Sequence, residues 1–209
     1  MVVHTLILGS EFQANCYIIE NDRKEAVAVD IGGDSHELLK FLYEYNLTLT
    51  KILLTHGHYD HFKGVADVAK STGAEVFIHT DDKNMLISAD ESLASFISNG
   101  NFHNVEKFTS FSDGDKIDFS GTPISVLSTP GHTNGSVCFI CEDKLFSGDT
   151  LFRMSIGRTD FPGGDYSKLK HSLAVLKDIG KNNDYKVYPG HNSATTLSYE
   201  IKNNPYMRN

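Results

Sequence analysis

The amino-acid sequence predicts an α/β protein built as a sandwich of two sheets with helices on the outside. Short apolar runs bounded by glycine or polar turns occur in both halves of the chain and are typical of strands. Stretches with apolar residues at helical spacing lie between some of these runs. The second half repeats the plan of the first in coarse outline, which favours packed sheets flanked by helices. With 209 residues, 40% hydrophobic and 22% charged, the chain is expected to form a single domain over residues 1–209, or at most two small ones.

In the first half, three strands are predicted before the first helix, at VVHTLIL, NCYIIE and AVAVDIGG. The helix should begin near Asp34, because Asp34 and Glu37 have the spacing of a capping box. Its inner face would present Leu38, Leu42 and Tyr45. Beyond it the pattern predicts a buried strand at KILLT (51–55), a helix over about 63–72, a strand at EVFIH (75–79) and a partly helical polar segment over 80–105.

In the second half, four strands are predicted, at KIDF, PISVLST, SVCFIC and KLFSGD. A long Gly-rich loop over residues 150–165 should follow them. The next helix would end at Gly180, and its inner face would present Leu169, Leu173 and Leu176. A last short strand at VYP (187–189) leads to a terminal helix or tail.

Composition narrows the classes of partner. The net charge of −8 argues against nucleic acid and against an anionic membrane surface, since phosphate binding needs clustered Lys and Arg. The first residues, MVVHTLILGSEF, lack the basic leader and long apolar run of a signal peptide or membrane anchor. Three cysteines suit a reducing compartment, and Cys138 and Cys141 form a CxxC in a strand-like run where a core role is expected. We therefore expect a cytoplasmic protein that acts on a small molecule, and the sequence leaves its oligomeric state open.

The stretch THGHYDH concentrates metal-binding side chains directly after the predicted strand KILLT. It places His56, His58, Asp60 and His61 within six positions. Without a metal, such a group would repel when protonated or leave buried polar atoms unpaired, so the spacing favours a metal site. The other histidines are expected to be surface or core residues: His4, His36, His79, His103 and His171.

Three more candidate ligands follow the ends of predicted strands in the second half. They are His132 in STPGHTNGS, Asp149 in LFSGDT and His191 in VYPGHNS. Each follows a glycine, which lets the backbone turn sharply beside a bulky site. Loops at strand ends are where a rigid sheet presents functional side chains, so these residues are expected to complete the site.

Taken in order, THGHYDH, PGHT, SGDT and PGH resemble the motifs of the metallo-β-lactamase superfamily. The resemblance implies a four-layer αββα sandwich with two metal ions at the edge of the sheets. It implies a first metal held by His56, His58 and His132, a second held by Asp60, His61 and His191, a bridging Asp149, and a supporting Asp30. Neutral imidazole and carboxylate ligands suit zinc first, with iron or manganese as alternatives. A hydroxide bridging the metals would be the nucleophile, which makes Asp60 and Asp149 the predicted catalytic residues.

Within the superfamily, the chain resembles the short, single-domain glyoxalase II-like type. The segment GRTDFPGG (157–164) stands where both that type and the related persulfide dioxygenases have a substrate-contacting loop. Arg158 matches a basic residue that binds the glutathione carboxylate, although a surface arginine in a turn is the competing interpretation. Tyr59 is expected either to line the substrate pocket or to pack in the core. The chain lacks a long helical extension after His191, so the resemblance leaves open whether glutathione is the thiol.

The expected function is metal-dependent hydrolysis of a small 2-hydroxyacyl thioester. One alternative is a persulfide dioxygenase with a single iron, which would be held by His56, His132 and Asp149. A second alternative, from a different class, is a metal-binding module without catalysis. Structural metal sites are closed, whereas seven ligands for two ions leave open positions, and this difference favours catalysis.

Overall fold

The computed structural model describes residues 1–8, 14–98 and 101–208. The chain divides into two compact units, which we call unit 1 (Met1–Phe111) and unit 2 (Ser112–Asn209). Both contain a six-stranded sheet and helices, as expected for an α/β protein. The expectation of a single domain over 1–209 stays a prediction.

The sheet of unit 1 changes from antiparallel to parallel along its strand order. Strands β1, β2 and β3 pair antiparallel, and β3, β4, β5 and β6 pair parallel in sequence order. The strands are β1 (Val2–Ile7), β2 (Asn15–Glu20), β3 (Glu25–Val29), β4 (Thr48–Leu53), β5 (Glu75–His79) and β6 (Thr109–Phe111). Strands β2 and β3 are almost entirely buried, which explains their continuous apolar sequences. Because β3, β4 and β5 run parallel, their carboxyl ends lie along one edge of the sheet.

Helices of unit 1 connect the parallel strands. They are α1 (Ser35–Glu44), α2 (Tyr59–Phe62), α3 (Val65–Thr72) and α4 (Ala94–Ile97), with a 3₁₀ helix at Lys83–Ile87. Asp34 caps α1 as predicted, and its side chain accepts a hydrogen bond from the N–H of His36. Leu38 and Leu42 are buried against the core, in agreement with the helical pattern.

The sheet of unit 2 has the strand order β14-β13-β10-β9-β8-β7. All its neighbours pair antiparallel except β10 and β13, which pair parallel. Its strands are β7 (Lys116–Phe119), β8 (Thr122–Ser128), β9 (Val137–Cys141), β10 (Lys144–Gly148), β13 (Lys186–Pro189) and β14 (Thr195–Thr196). A separate hairpin is formed by β11 (Leu151–Phe152) and β12 (Ser155–Ile156).

Two helices complete unit 2, α5 (Tyr166–Ile179) and α6 (Leu197–Asn203). Asp165 caps α5 by accepting from two backbone N–H groups, and Gly180 forms the carboxyl cap at the predicted position. The predicted inner face of α5 is buried, with Leu169, Leu173 and Leu176 in the core.

Three local predictions need correction. Tyr45 is 48% exposed, because α1 ends at its cap and the ring stacks on Phe41 instead of entering the core. Two candidate metal ligands expected in a loop, Asp60 and His61, lie on the one-turn helix α2. The predicted loop over 150–165 contains the β11–β12 hairpin. Strand β6 lies between the polar segment predicted over 80–105 and the strand predicted at KIDF, where the sequence pattern predicts no element.

No helix among the described residues is long and apolar enough to cross a membrane. The three cysteines are buried free thiols. Burial raises the pKa of the Cys138 thiol to about 12 and that of Cys141 to about 11. Thiols in this state are poor nucleophiles and ligands, so the core interpretation of the CxxC fits the structure.

Candidate metal centre

The carboxyl edge of the parallel strands in unit 1 gathers the motif residues. Asp30 follows β3 directly, and His56 follows β4 after two buried residues, Leu54 and Thr55. His58 is the N-cap residue of α2, which then presents Asp60 and His61. All three histidines of the motif are buried, while the Asp60 side chain is 21% exposed.

Asp30 organises this group through three hydrogen bonds. Its carboxylate accepts from the N–H of Thr55 at 2.9 Å, from the Thr55 hydroxyl at 2.7 Å and from Nδ1 of His61 at 2.8 Å. The Thr55 hydroxyl proton is engaged by Asp30, so Nδ1 of His56, 3.1 Å from that oxygen, is the donor of the next bond. These bonds place the ring protons of His56 and His61 on Nδ1 and leave Nε2 of both rings as an acceptor suited to a metal.

The spacing of two imidazole nitrogens fits shared metal ligation. Nε2 of His56 and Nδ1 of His58 lie 3.1 Å apart. Zinc binds histidine nitrogen at about 2.0–2.1 Å in a tetrahedral arrangement, which sets two ligand nitrogens about 3.3 Å apart. Nε2 of His61 lies 3.9 Å from Oδ2 of Asp60, so the carboxylate and the imidazole of α2 are also close. The donor set and the first of these distances fit a metal ion.

In unit 2, Asp149 stands between two imidazoles. Its Oδ2 lies 3.5 Å from Nε2 of His132 and 3.6 Å from Nε2 of His191. The three side chains come from different loops, which follow β8, β10 and β13. A carboxylate oxygen facing two histidine nitrogens is the arrangement expected of a ligand shared between two metals.

The orientation of His132 is fixed by the main chain. Its Nδ1 donates to the carbonyl oxygen of Arg158 at 2.7 Å, so Nε2 is the nitrogen directed at Asp149. Gly157 makes this approach feasible, because a Cβ there would lie 1.8 Å from the carbonyl oxygen of Asp149. The backbone of Gly157 is thereby packed against the backbone of Asp149.

The side chain of Arg158 is engaged at the surface. It is 56% exposed, and it donates to both carboxylate oxygens of Asp160 at 2.7 Å. The guanidinium also lies 3.8 Å from the ring centroid of Phe161. These bonds lower the pKa of Asp160 to about 2. The predicted role of Arg158 in binding a substrate carboxylate stays a prediction, and Asp160 would compete with such a carboxylate.

Tyr59 is a buried residue of unit 1. The residue is 1% exposed, and its hydroxyl donates to the carbonyl oxygen of Asn101 at 2.8 Å. Burial raises its pKa. Tyr59 packs against Phe62 and also lines a cavity of about 410 Å³ in unit 1, together with Lys63 and other residues. Substrate binding by Tyr59 stays a prediction.

Sequence reasoning missed three groups that support the ligands. The hydroxyl of Thr55 links Asp30 to His56, and Asp82 accepts from the N–H of Gly57. The third is the carbonyl oxygen of Arg158. Thr55 could have been found from its place beside the motif, whereas Asp82 lies in the polar segment 80–105, which has no recognisable motif.

A family model covers most of the chain. The model for the metallo-beta-lactamase superfamily matches residues 9–191, a range that contains every candidate ligand. The chain belongs to the metallo-beta-lactamase superfamily. Within it, hydroxyacylglutathione hydrolase GloC of Haemophilus influenzae is 34% identical over 208 residues, covering 97% of this chain and 96% of the relative. The probable metallo-hydrolase YqgX of Bacillus subtilis is 33% identical, covering 93% of this chain and 92% of the relative.

Solved structures of superfamily members confirm the predicted α/β fold. The B3 metallo-beta-lactamase BLEG-1 matches with a TM-score of 0.92 and 33% identity over 100% of both chains. TTHA1623, solved in a di-iron-bound form, matches with a TM-score of 0.85 and 32% identity over 97% of this chain and 99% of that one. ETHE1 from Myxococcus xanthus matches with a TM-score of 0.79 and 28% identity over 98% of this chain and 84% of that one. The protein is therefore a member of a metallo-hydrolase superfamily that binds two metal ions, and its histidine and aspartate side chains can serve as ligands.

Proposed function

We propose that this protein hydrolyses small 2-hydroxyacyl thioesters at a dinuclear metal centre. The observation that carries the proposal is Asp149, whose Oδ2 faces Nε2 of both His132 and His191 at 3.5 and 3.6 Å. A carboxylate oxygen placed between two imidazoles is positioned to be shared by two metals bound side by side. The relative named hydroxyacylglutathione hydrolase, similar along nearly its whole length, supports the class of substrate.

The proposed ligand set is the one that the superfamily pattern implies. Family membership supports one metal held by His56, His58 and His132 and another held by Asp60, His61 and His191, with Asp149 between them. Zinc is the first expectation, and the relative solved with two irons keeps iron open. When bound, the two ions supply Lewis acidity, which activates water at neutral pH and polarises the substrate carbonyl.

The chain's own groups prepare the ligands for this chemistry. Asp30 holds the ring proton of His61 on Nδ1, and the carbonyl oxygen of Arg158 does the same for His132. Both rings then present Nε2 without reorganisation on metal binding. Asp60 and Asp149 add negative charge, which favours two dications in a small volume.

A thioester suits a site whose sequence motifs offer no evident general acid. The leaving thiolate has a conjugate acid with a pKa of about 8.5, so it departs without protonation. We propose that Arg158 pairs with a carboxylate on the thiol portion of the substrate. Tyr59, the first residue of α2, is a second proposed contact with the substrate. The acyl group and the thiol, including glutathione, are left to the assay.

The persulfide dioxygenase reaction is the second candidate, because ETHE1 is among the similar structures. It would use one iron held by His56, His132 and Asp149. The two candidates differ in metal number, in oxygen use and in the product released. A module without catalysis is the third, and it would retain the metals but turn over none of the substrates.

The deciding experiment pairs two assays on one preparation of known metal content. Thiol release from lactoylglutathione and oxygen uptake with glutathione persulfide are measured after loading with zinc or with iron. The proposal expects close to two metals per chain and thioester cleavage. One iron per chain with oxygen uptake and no cleavage would establish the dioxygenase instead. A chromogenic β-lactam belongs in the same series, because BLEG-1 is named a metallo-beta-lactamase.

A further inference from the structure

A hydrogen bond from outside the ligand motif fixes the peptide between His56 and His58. The N–H of Gly57 donates to Oδ2 of Asp82 at 3.0 Å. Asp82 follows β5 and precedes the 3₁₀ helix of unit 1, and it is only 1% exposed. Carboxylates are rarely buried to this extent unless they are paired or hydrogen-bonded, so the position of Asp82 calls for a cause.

The segment that contains Asp82 also packs closely against the Cα of Gly57. A Cβ at Gly57 would lie 2.7 Å from Cβ of Met85 and 3.1 Å from the carbonyl oxygen of Asp82. The N–H of Met85 donates to that same carbonyl oxygen at 3.0 Å, which ties the segment into a turn. We call residues 82–85 the bracket. It holds Gly57 both by a hydrogen bond and by close packing.

The backbone conformation of Gly57 sets the distance between the imidazoles of His56 and His58. Gly57 is the single residue between His56 and His58, whose Nε2 and Nδ1 lie 3.1 Å apart. A glycine has wide conformational freedom, so rotation about Gly57 would move the two imidazoles apart unless something outside the motif prevented it. The bracket supplies that restraint.

We infer that Asp82 is a positioning residue for the metal ion bound by His56 and His58, acting through the N–H of Gly57. The inference rests on the proposed function, since it requires that these histidines bind a metal. Outer partners of metal ligands commonly change metal affinity by 10–100-fold when they are removed. Replacing Asp82 by alanine should therefore weaken zinc binding by about 10–100-fold.

The test measures how readily the purified holoprotein yields zinc to a chromophoric chelator. Asp82→Ala should lose zinc at a lower chelator concentration than the wild type. Asp82→Asn keeps an oxygen that can accept from Gly57, so it should recover most of the affinity. The visible spectrum of cobalt-loaded protein should change in Asp82→Ala and stay close to wild type in Asp82→Asn, because it reports ligand geometry.

Glu200 provides a matched control in unit 2. It is also fully buried, and it accepts from the backbone N–H of Met154 at 2.8 Å. Glu200→Ala should lower the thermal stability without changing zinc affinity. An equal loss of zinc in Asp82→Ala and Glu200→Ala would mean general loosening of the fold and would overturn the specific role.

Two other results would also overturn the inference. One is wild-type zinc affinity in Asp82→Ala. The other is an Asp82→Asn protein that unfolds normally but binds zinc as weakly as Asp82→Ala. If Asp82→Ala does not fold, Asp82→Ser replaces it, because the serine hydroxyl is too short to reach Gly57. A wild-type protein that binds neither zinc nor cobalt would refute the proposed function as well, whereas tight wild-type binding with an unaffected Asp82→Ala refutes this inference alone.

Discussion

Units 1 and 2 present their candidate ligands in different ways. Unit 1 contributes one continuous motif whose histidines are all buried, on an edge of parallel strands. Unit 2 contributes single ligands from three separate loops, and one of them, His191, has a side chain that is 27% exposed. Exposure does not separate the two units, because the Asp60 side chain of unit 1 is 21% exposed while those of His132 and Asp149 in unit 2 are 3% and 10% exposed. The units differ in how the chain supplies the side chains, as neighbours in one motif or as single residues after separate strands.

The means of support differ as well. In unit 1, ring orientation depends on a side chain, because the Asp30 carboxylate accepts from Nδ1 of His61. In unit 2, it depends on the main chain, because the carbonyl oxygen of Arg158 accepts from Nδ1 of His132. A side-chain support can be removed by one substitution, whereas a main-chain support is kept by most substitutions. The comparison therefore predicts unequal sensitivity to mutation in the two units.

The largest effect is expected at the shared ligand. Asp149→Ala should remove both metals and lower kcat/KM on the order of 1,000-fold or more, about 4 kcal/mol in activation free energy, because this carboxylate faces two imidazoles. Elemental analysis and the thioester assay measure the two losses. The exposed His171 provides the control, and His171→Ala should leave both unchanged. Full turnover in Asp149→Ala would show that the proposed centre is misplaced.

The next effect compares the two kinds of support directly. Asp30→Ala removes the acceptor of buried donors on Thr55 and His61, and each such loss costs about 1–3 kcal/mol of folding free energy. It should also weaken metal binding by about 10–100-fold. Arg158→Ala keeps the carbonyl oxygen that holds His132, so its metal affinity should equal that of the wild type. Chelator competition and chemical denaturation measure both variants. Equal metal loss in the two would mean that the kind of support does not matter.

A moderate effect is expected in substrate recognition. If Arg158 pairs with a substrate carboxylate, Arg158→Ala should raise KM on the order of tenfold and change kcat little. Asp160 holds the same guanidinium, so Asp160→Ala should lower KM for anionic thioesters. Steady-state kinetics with a charged and an uncharged thioester separate the cases. An unchanged KM in both variants would leave Arg158 as a surface residue of the turn.

The smallest effect concerns the acid titration of Asp160. Its pKa is lowered to about 2 chiefly by hydrogen bonds from Arg158, below the ordinary value of 3.8. For a carboxyl whose folded pKa is depressed, the stabilising contribution is present above the unfolded value and is lost as the pH falls through the folded value. The loss should thus occur between about pH 4 and pH 2. Carboxyl NMR titration of the wild type and Arg158→Ala tests this, and the same pKa in both would exclude the pairing in solution.

The continuous motif could be predicted from sequence because its four ligands are neighbours in the chain. The candidate ligands in separate loops could also be predicted, because each follows an apolar strand and a glycine. They are His132, Asp149 and His191. Asp82 could not be predicted, because its bond to Gly57 crosses from a polar segment without periodicity. The carbonyl oxygen of Arg158 leaves no trace in the sequence either, since every residue has one.

Among the structural elements, long apolar strands were located well and the shortest ones were missed. The strand NCYIIE was predicted with the bounds that β2 has, because its burial is continuous. Strands β6, β11 and β12 have two or three residues, too few to establish an alternating pattern. Tyr45 was misplaced because a helical pattern does not reveal where the last turn ends.

The hydrogen bond between His132 and the carbonyl oxygen of Arg158 affects which substitutions this enzyme can accept during evolution. The carbonyl oxygen of residue 158 can accept this hydrogen bond whatever the side chain of that residue is. The side chain can therefore be replaced while His132, a candidate metal ligand, keeps its orientation. The side chain at position 158 is exposed. Asp160 forms an ion pair with Arg158 and so competes with any other carboxylate for the guanidinium. Substitutions at positions 158 and 160 should therefore change the exposed side chains without disturbing the orientation of His132. The buried Asp30 differs, because its own side chain makes the hydrogen bond to His61. A mutant library made to search for new specificity should therefore vary positions 158 and 160 and keep Asp30 unchanged.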